Sequence, residues 1–427
     1  MPRYLALGVV LILAATACDR LLTEPSPSQV LTTTLQSPQN APLLVRSTIA
    51  DFNCAYAQYA LASGLVVDEL LNAQLQTVAF DMDRRTMTVT NTGNDAGVLC
   101  ETGQQNVGFY SPLQIARFDG EQATTLLTGW TDAQVPGRIQ LRGSAQAYEA
   151  YALALMGEGM CTDAIDGGRE LQADSVLGLA EVRFTAAIAD ATQAADTATM
   201  RLAILGRARV RLDRGKPAAA AADAGNIPAT GFEFDATFSG LSVRTENRLW
   251  SQMFRDNYAA VEGPFQHAVD PAGSGKPDPR VLTDSTGLFG NNGVPIFAAL
   301  KYPAVTSPIP LAHSSEAQLI IAEADVDAHN LSGAHAIVNA LQRTQMLDSF
   351  PAFPDSATAM NAIIVERGRE LFLEGHRLSD YIRYGRTPLP FNPAPGTPYP
   401  YGAGGFYGSQ LCFPLPNIER LNNPNIH

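Results

Sequence analysis

The chain has 427 residues, 46% of them hydrophobic, and a formal net charge of −13 at pH 7. That length and apolar content allow one large core or two to three smaller ones. The acidic balance argues against nucleic acid as a partner, because phosphate backbones demand a basic face, and it fits a soluble body outside the cytoplasm.

The N-terminus reads as an export signal, with Arg3 as a short positive region and an apolar run over residues 5–15. The run is too short to cross a bilayer, which takes about 20 apolar residues. Ala15-Thr16-Ala17 fits an ordinary cleavage site, and Ala17-Cys18 fits a lipoprotein site. Cysteine parity favours the lipoprotein. Of the five cysteines, lipidation of Cys18 leaves Cys54, Cys100, Cys161 and Cys412, an even set with three possible pairings in an oxidising compartment. Residues 1–17 are therefore expected as a signal peptide, Cys18 as the lipid anchor, and the Ser-, Thr- and Pro-rich stretch 18–45 as a flexible tether. Asp19 leaves the choice between inner and outer membrane open.

Residues 46–427 read as one mainly α-helical domain. Apolar residues recur at helical spacing over 49–77, and the Thr- and Gly-rich stretch 80–132 reads as irregular. Helical patterns return at 144–156, 177–194, 199–212 and 218–224, and again at 316–328 and 333–343. Short turns such as Arg214-Gly215-Lys216-Pro217 join them. Paired helices with Ala and Gly at their contacts are the physics of tetratricopeptide-like repeats. Two further loop-rich excursions, 225–310 and 386–410, gather aromatic residues among Gly and Pro.

The most informative stretch runs from Glu366 through Arg367, Gly368, Arg369, Glu370, Leu371, Phe372, Leu373, Glu374, Gly375, His376 and Arg377 to Asp380. Wound as one helix, it puts Glu366, Arg369, Glu370, Glu374, Arg377 and Asp380 on one side. Ile364, Leu371, Phe372, Leu378 and Ile382 fall on the other, with Gly368 and Gly375 available for close helix approach. Each Glu has an Arg within a turn, which favours a structural ion-pair helix over an acid/base pair.

This block resembles the C-terminal signature of the SusD/RagB family, E-R-x-x-E-L-x-x-E-G-x-R-x-x-D-L-x-R, filled here by Glu366, Arg367, Glu370, Leu371, Glu374, Gly375, Arg377, Asp380 and Arg383. The ending Phe413-Pro414-Leu415-Pro416-Asn417-Ile418-Glu419 with Asn423-Pro424-Asn425 is similar to the family's F-P-I-P-x-x-E and N-P-N blocks. Lys301-Tyr302, Ala322-Glu323-Ala324 and Ala336-Ile337-Val338-Asn339 resemble further blocks. The resemblance implies a helical-repeat body with long irregular excursions. It also implies a surface-exposed, lipid-anchored outer-membrane protein that binds a nutrient, an oligosaccharide or a peptide. Such proteins pass the nutrient to a SusC-like TonB-dependent transporter without bond chemistry. The rivals are a lipid-anchored glycan-degrading enzyme and a helical-repeat scaffold for protein contacts.

A sugar-binding platform needs an exposed ring flanked by polar groups. Trp250, within Glu246-Asn247-Arg248-Leu249-Trp250-Ser251-Gln252, has that setting; Tyr258 and Tyr302 are lesser candidates, and the 399–407 loop is the reserve. No catalytic, metal or cofactor site is expected. Gly273-Ser274-Gly275-Lys276 ends in Pro277 and so is not a phosphate loop. Asp325, Asp327 and His329 are spaced two apart, which does not share a helix face.

Overall fold

A computed structural model of the chain describes residues 35–90, 100, 107–385, 393–402 and 404–426. The signal peptide, Cys18 and most of the expected tether lie outside those residues. Helix α1 (Ala41–Val66) begins inside the segment assigned to the tether. Residues 51–66 are buried without exception, so this helix lies within the core rather than along its edge. It stops short of residue 77, because Leu70–Asn72 leaves as strand β1, and a short helix α2 (Thr77–Asp83) follows.

Helix α3 (Tyr110–Gly129) corrects the sequence reading, which took this region as irregular. Its buried residues Tyr110, Leu113, Ala116, Arg117, Gly120, Ala123 and Leu127 follow helical spacing, and Pro112 is tolerated in the first turn. Helix α4 (Arg138–Gly159) packs between α3 and α5 (Ala173–Gln193). The short strands β2 (Thr162–Ala164) and β3 (Glu170–Gln172) pair between α4 and α5. Helices α6 (Thr197–Asp213) and α7 (Pro217–Ala224) continue the stack. A Cβ at Gly206 on α6 would lie 2.3 Å from the Phe184 ring of α5, so only glycine permits this crossing.

The helical pairs are joined by one recurring device. The turns 194–196, 214–216 and 328–330 each hold a central residue at positive φ: Ala195 at 55°, Gly215 at 67° and His329 at 57°. In each, the next N–H reaches back five residues, as in Asp196 to Ala191 O (2.8 Å), Lys216 to Arg211 O (2.8 Å) and Asn330 to Asp325 O (2.7 Å). This is the Schellman arrangement, which satisfies carbonyls the helix end would leave orphaned. Asp196 and Asn330 then cap the following helix from Thr199 N–H and Gly333 N–H. The tetratricopeptide-like architecture expected from the sequence is present.

Between α7 and α8 (Ser314–Asp327) the chain makes the expected irregular excursion. It contains β4 (Glu233–Ala236), which pairs antiparallel with β8 (Ile309–His313), and β5 (Ala259–Val261), which pairs with β1. A hairpin of β6 (Thr283–Phe289) and β7 (Pro295–Ala299) completes it. Helices α9 (Leu331–Thr344) and α10 (Ser356–Glu370) pack with α8 around a second, smaller core. The four remaining cysteines pair as Cys54 with Cys100 and Cys161 with Cys412.

The C-terminal signature is two helices, not one. After α10 the chain leaves the helical path at residues 371–376, with Leu373 at φ 57° and Gly375 at φ 82°, and resumes as α11 (Arg377–Tyr384). The carbonyls freed by this break are met by two buried tyrosines and a half-buried lysine. Lys301 Nζ donates to Phe372 O (2.8 Å), Tyr302 Oη to Leu373 O (3.2 Å), and Tyr56 Oη approaches Glu374 O (2.9 Å). The Leu373 N–H donates to Glu69 Oε1 (2.9 Å).

The expected surface pairs along one helix face are replaced by buried pairs with distant elements. Glu374 lies between Lys301 (2.6 Å) and His313 (2.9 Å). Arg377 forms a bidentate pair with Asp68 (2.9 Å), and Arg367 pairs with Asp380 (2.9 Å). Glu366 and Glu370 share Arg280 (2.7 and 3.0 Å), while Arg369 lies 4.0 Å from Asp278. Arg383 reaches Glu323 and Asp380. Burial alone would raise the Glu374 carboxyl, but Lys301 and His313 hold it below its usual range. Asp68 behaves likewise beside Arg377.

Removing one partner of such a pair leaves an uncompensated buried charge, at a cost of about 3–5 kcal/mol. Arg377→Ala should therefore lower unfolding stability by about that amount. Combined with Asp68→Asn it should cost clearly less than the sum of the single changes. Denaturant titration of the four species checks this; additive losses would mean that the pair is not coupled.

Glu69 behaves oppositely. Burial pushes its carboxyl up to about 8 against the countervailing Leu373 N–H. Its folded value is thus raised, and its contribution to stability is fully present below the unfolded carboxylate range and lost as pH rises through about 8. Asp68, Glu323 and Glu374 have lowered folded values, so their contributions are lost as pH falls below the unfolded range. Stability should peak on the mildly acidic side. Glu69→Gln should raise the thermal midpoint above about pH 8 while changing it little at the acidic optimum; an unchanged pH profile would count against the assignment.

Candidate functional site

An open cleft of about 730 Å³ is built from three elements. The first turns of α3 contribute Tyr110, Gln114, Ile115, Arg117, Phe118 and Asp119; the β2–β3 turn contributes Ala164, Asp166 and Gly167; helix α12 (Asn417–Asn422) contributes Ile418, Glu419 and Asn422. Phe118 is 49% exposed and Ile115 and Ile418 each 41%, so an apolar strip lies open beside polar groups.

Local sequence explains the placement. Asp166 and Gly167 both have positive φ (53° and 65°), and Gly168 N–H closes onto Ile165 O (2.8 Å). This is a type I′ turn, for which Asp-Gly is a preferred pair. It presents the Asp166 carboxylate to Arg117 on α3 (2.7 Å). Arg117 also binds Glu121 (2.7 Å) and Gln114 Oε1 (3.2 Å), so its guanidinium is engaged on three sides. Gln114 Nε2 in turn donates to Asp163 Oδ1 (3.0 Å) and Ala164 O (3.0 Å).

Helix α12 is too short to hold itself in place, and its partners do so. Tyr110 Oη donates to Glu419 Oε2 (3.2 Å), Arg420 pairs with Glu170 (2.7 Å), and Asn423 Nδ2 donates to Gly168 O (2.8 Å). Just upstream, Phe413 stacks edge-on against Phe109 (4.4 Å), and Cys412 is joined to Cys161. Burial raises the Asp163 carboxyl to about 8, and burial together with the neighbouring Asp51 raises Asp119 to about 7.

A second pocket, about 360 Å³, has Arg280, Lys301, His313, Glu370 and Glu374 in its walls. These are the ion pairs that hold the C-terminal break, and Glu374 has both oxygens occupied. Glu374 therefore has no free oxygen to act as acid or base.

The residues expected to meet ligand are dispersed. Trp250 is half-buried on a short helical turn (Arg248–Trp250) and stacks on Phe254 (6.2 Å between centroids). Tyr258, also half-buried, follows on the same segment. Neither lines either of these clefts. Tyr302 is 1% exposed, and its hydroxyl is committed to Leu373 O, so it is a core residue out of reach of any ligand. In the 399–407 loop, Tyr399 and Tyr407 are buried against Phe80, leaving Phe406 exposed. The cleft residues Phe118 and Asp166 were not singled out from sequence, and Glu419 figured there only within the family-like ending, not as a ligand contact. The signal for them was the helical period of α3 together with the Asp166-Gly167 turn.

The comparisons agree with this architecture. The SusD family model matches residues 306–410. No curated protein matches the chain in sequence. Among solved structures, a SusD superfamily protein from Bacteroides vulgatus is 13% identical with a TM-score of 0.66, covering 91% of this chain and 98% of its own. One from Bacteroides thetaiotaomicron is 12% identical with a TM-score of 0.66, covering 92% and 99%. Surface glycan-binding protein A from Bacteroides thetaiotaomicron is 13% identical with a TM-score of 0.66, covering 91% and 97%. Residues 306–410, which hold Ala322-Glu323-Ala324, Ala336-Ile337-Val338-Asn339 and the block from Glu366 to Arg383, match the SusD family model, while Lys301-Tyr302 and the ending from Phe413 lie just outside it; over the whole chain the likeness to SusD superfamily structures is one of fold.

Proposed function

We propose that this protein is a surface lipoprotein that captures an oligosaccharide and delivers it to a SusC-like TonB-dependent outer-membrane transporter. The observation that carries the binding role is the cleft over α3. It combines an exposed aromatic ring, flanking aliphatic side chains and a ring of carboxylate, amide and guanidinium groups held in place from behind. A pyranose offers an apolar C–H face and polar edges, and this cleft supplies the complement of both. One similar structure is a surface glycan-binding protein by its description, which supports a glycan over a peptide. The proposal involves no bond chemistry.

The half-buried stack of Trp250 on Phe254, together with Tyr258 further along the same segment, is a second proposed contact surface, separate from the cleft. Calorimetric titration of neutral oligosaccharide pools tests the two surfaces in parallel. Phe118→Ala should weaken binding by more than about 1 kcal/mol, and Trp250→Ala should do so only if the ligand spans both surfaces. Wild-type affinity in a folded Phe118→Ala variant, with loss in Trp250→Ala, would move the site to the stack. Turnover of the pool would favour the enzyme instead.

The anchor is proposed at Cys18, from the apolar run before it and the pairing of all four other cysteines. Dual acylation gives stable attachment where a single chain is marginal. Cys18→Ser should release the protein from the membrane fraction; unchanged fractionation would show that it is held another way.

A further inference from the structure

The charge lining the cleft limits what kind of sugar it can take. Among the described residues its walls carry the carboxylates of Asp166 and Glu419, the carboxyl of Asp119, raised to about 7 by burial and its hydrogen bond to Asp51, and one cation, Arg117. That cation is already shared among Asp166, Glu121 and Gln114 and is only 5% exposed. Asp166 meets Arg117 through Oδ1, while its side chain is 50% exposed. Asp166 and Glu419 line the same cleft as the exposed Phe118, and an aromatic face attracts cations and repels anions. The protein's net charge of −13 adds a field of the same sign.

We propose that this cleft selects amine-bearing sugars and disfavours uronic or sulfated ones, an inference that rests on the cleft being the glycan site. An ammonium group seated at Phe118 would meet the free edge of Asp166 and lie on the ring face. A carboxylate or sulfate in the same place would face like charges with no uncommitted cation in the cleft walls, which is an effective device for excluding a wrong ligand. The cleft therefore reads sugar charge, while the apolar strip of Ile115, Phe118 and Ile418 accepts the ring itself.

The test uses three β-1,4-linked hexasaccharides that differ in charge, built from glucosamine, N-acetylglucosamine and glucuronate. Each is titrated calorimetrically into the full chain at low and high salt, and into Asp166→Asn and Glu419→Gln. Both variants replace exposed or half-exposed carboxylates with groups of the same shape. The glucosamine oligomer should bind at least about tenfold more tightly than the glucuronate oligomer, with the ratio falling at high salt. The ratio should also fall severalfold in each variant. General attraction to an acidic protein would survive both substitutions, so an unchanged ratio would overturn the proposal. Equal or tighter binding of the glucuronate oligomer overturns the charge selection alone. A neutral oligomer that binds while Phe118→Ala does not affect it places the glycan site elsewhere and removes the selection with it. Failure of all three to bind rejects glycan capture in this cleft altogether.

Discussion

A helix break cannot be buried unless its freed carbonyls and N–H groups find partners, and the break at residues 371–376 lies in the core. Tyr56 from α1, Lys301 and Tyr302 from the end of the long excursion, and Glu69 beside β1 converge on it. These partners are far apart in sequence, so satisfying the break fixes the relative positions of α1, the excursion and the C-terminal helices together. Charged side chains suit this task because the desolvation cost of each is offset only in one geometry. Glu374 illustrates the point: its backbone oxygen faces Tyr56, and its two side-chain oxygens face Lys301 and His313.

From that centre the constraint reaches the cleft by way of the C-terminal segment. Residues beyond α11 return to α4, where Phe413 N–H donates to Gly159 O (2.9 Å) and Cys161 N–H to Phe413 O (2.9 Å). The Cys161 to Cys412 disulfide fixes this crossing covalently, and α12 follows within a few residues. One wall of the cleft is therefore a short helix whose position comes from the chain on either side of it. The other two walls, α3 and the β2–β3 turn, are tied to each other by Arg117 and Asp166. A rigid scaffold below and short, polar-tipped elements above is the usual division of labour between core and binding surface.

Most of the helical body was legible from the sequence because its signals are local. The helices over 197–213 and 217–224 and the turn between them are set by period, capping residues and a glycine at positive φ. Helix α3 was missed for a physical reason. Its apolar face is interrupted by Arg117 and Gly120, one buried through its ion pairs and the other placed where Glu149 of α4 comes close. Read as polarity, those residues look like loop; read as contacts, they belong to the buried face. The C-terminal signature failed in the opposite way. Glu366, Arg369, Glu370, Glu374, Arg377 and Asp380 do form ion pairs, but periodicity alone could not show that most partners lie tens to hundreds of residues away. Tyr302 was judged by its ring, when its hydroxyl had the decisive role.

The same logic explains why the recognisable blocks of sequence say so little about the ligand. Lys301, Tyr302, Glu323, Glu374, Arg377 and Arg383 are tightly specified because each must satisfy a partner in or beside the core at a fixed distance. Phe118, Ile115, Asp166 and Ile418 meet solvent, so, apart from the pair of Asp166 with Arg117, no buried partner prescribes their side chains from within the core. Only the shape of the cleft is prescribed from below. If the cleft is the glycan site, discrimination would arise at those solvent-facing positions, where exchanging a single carboxylate for an amide alters the charge of the cleft and leaves the helix break and the disulfides as they are.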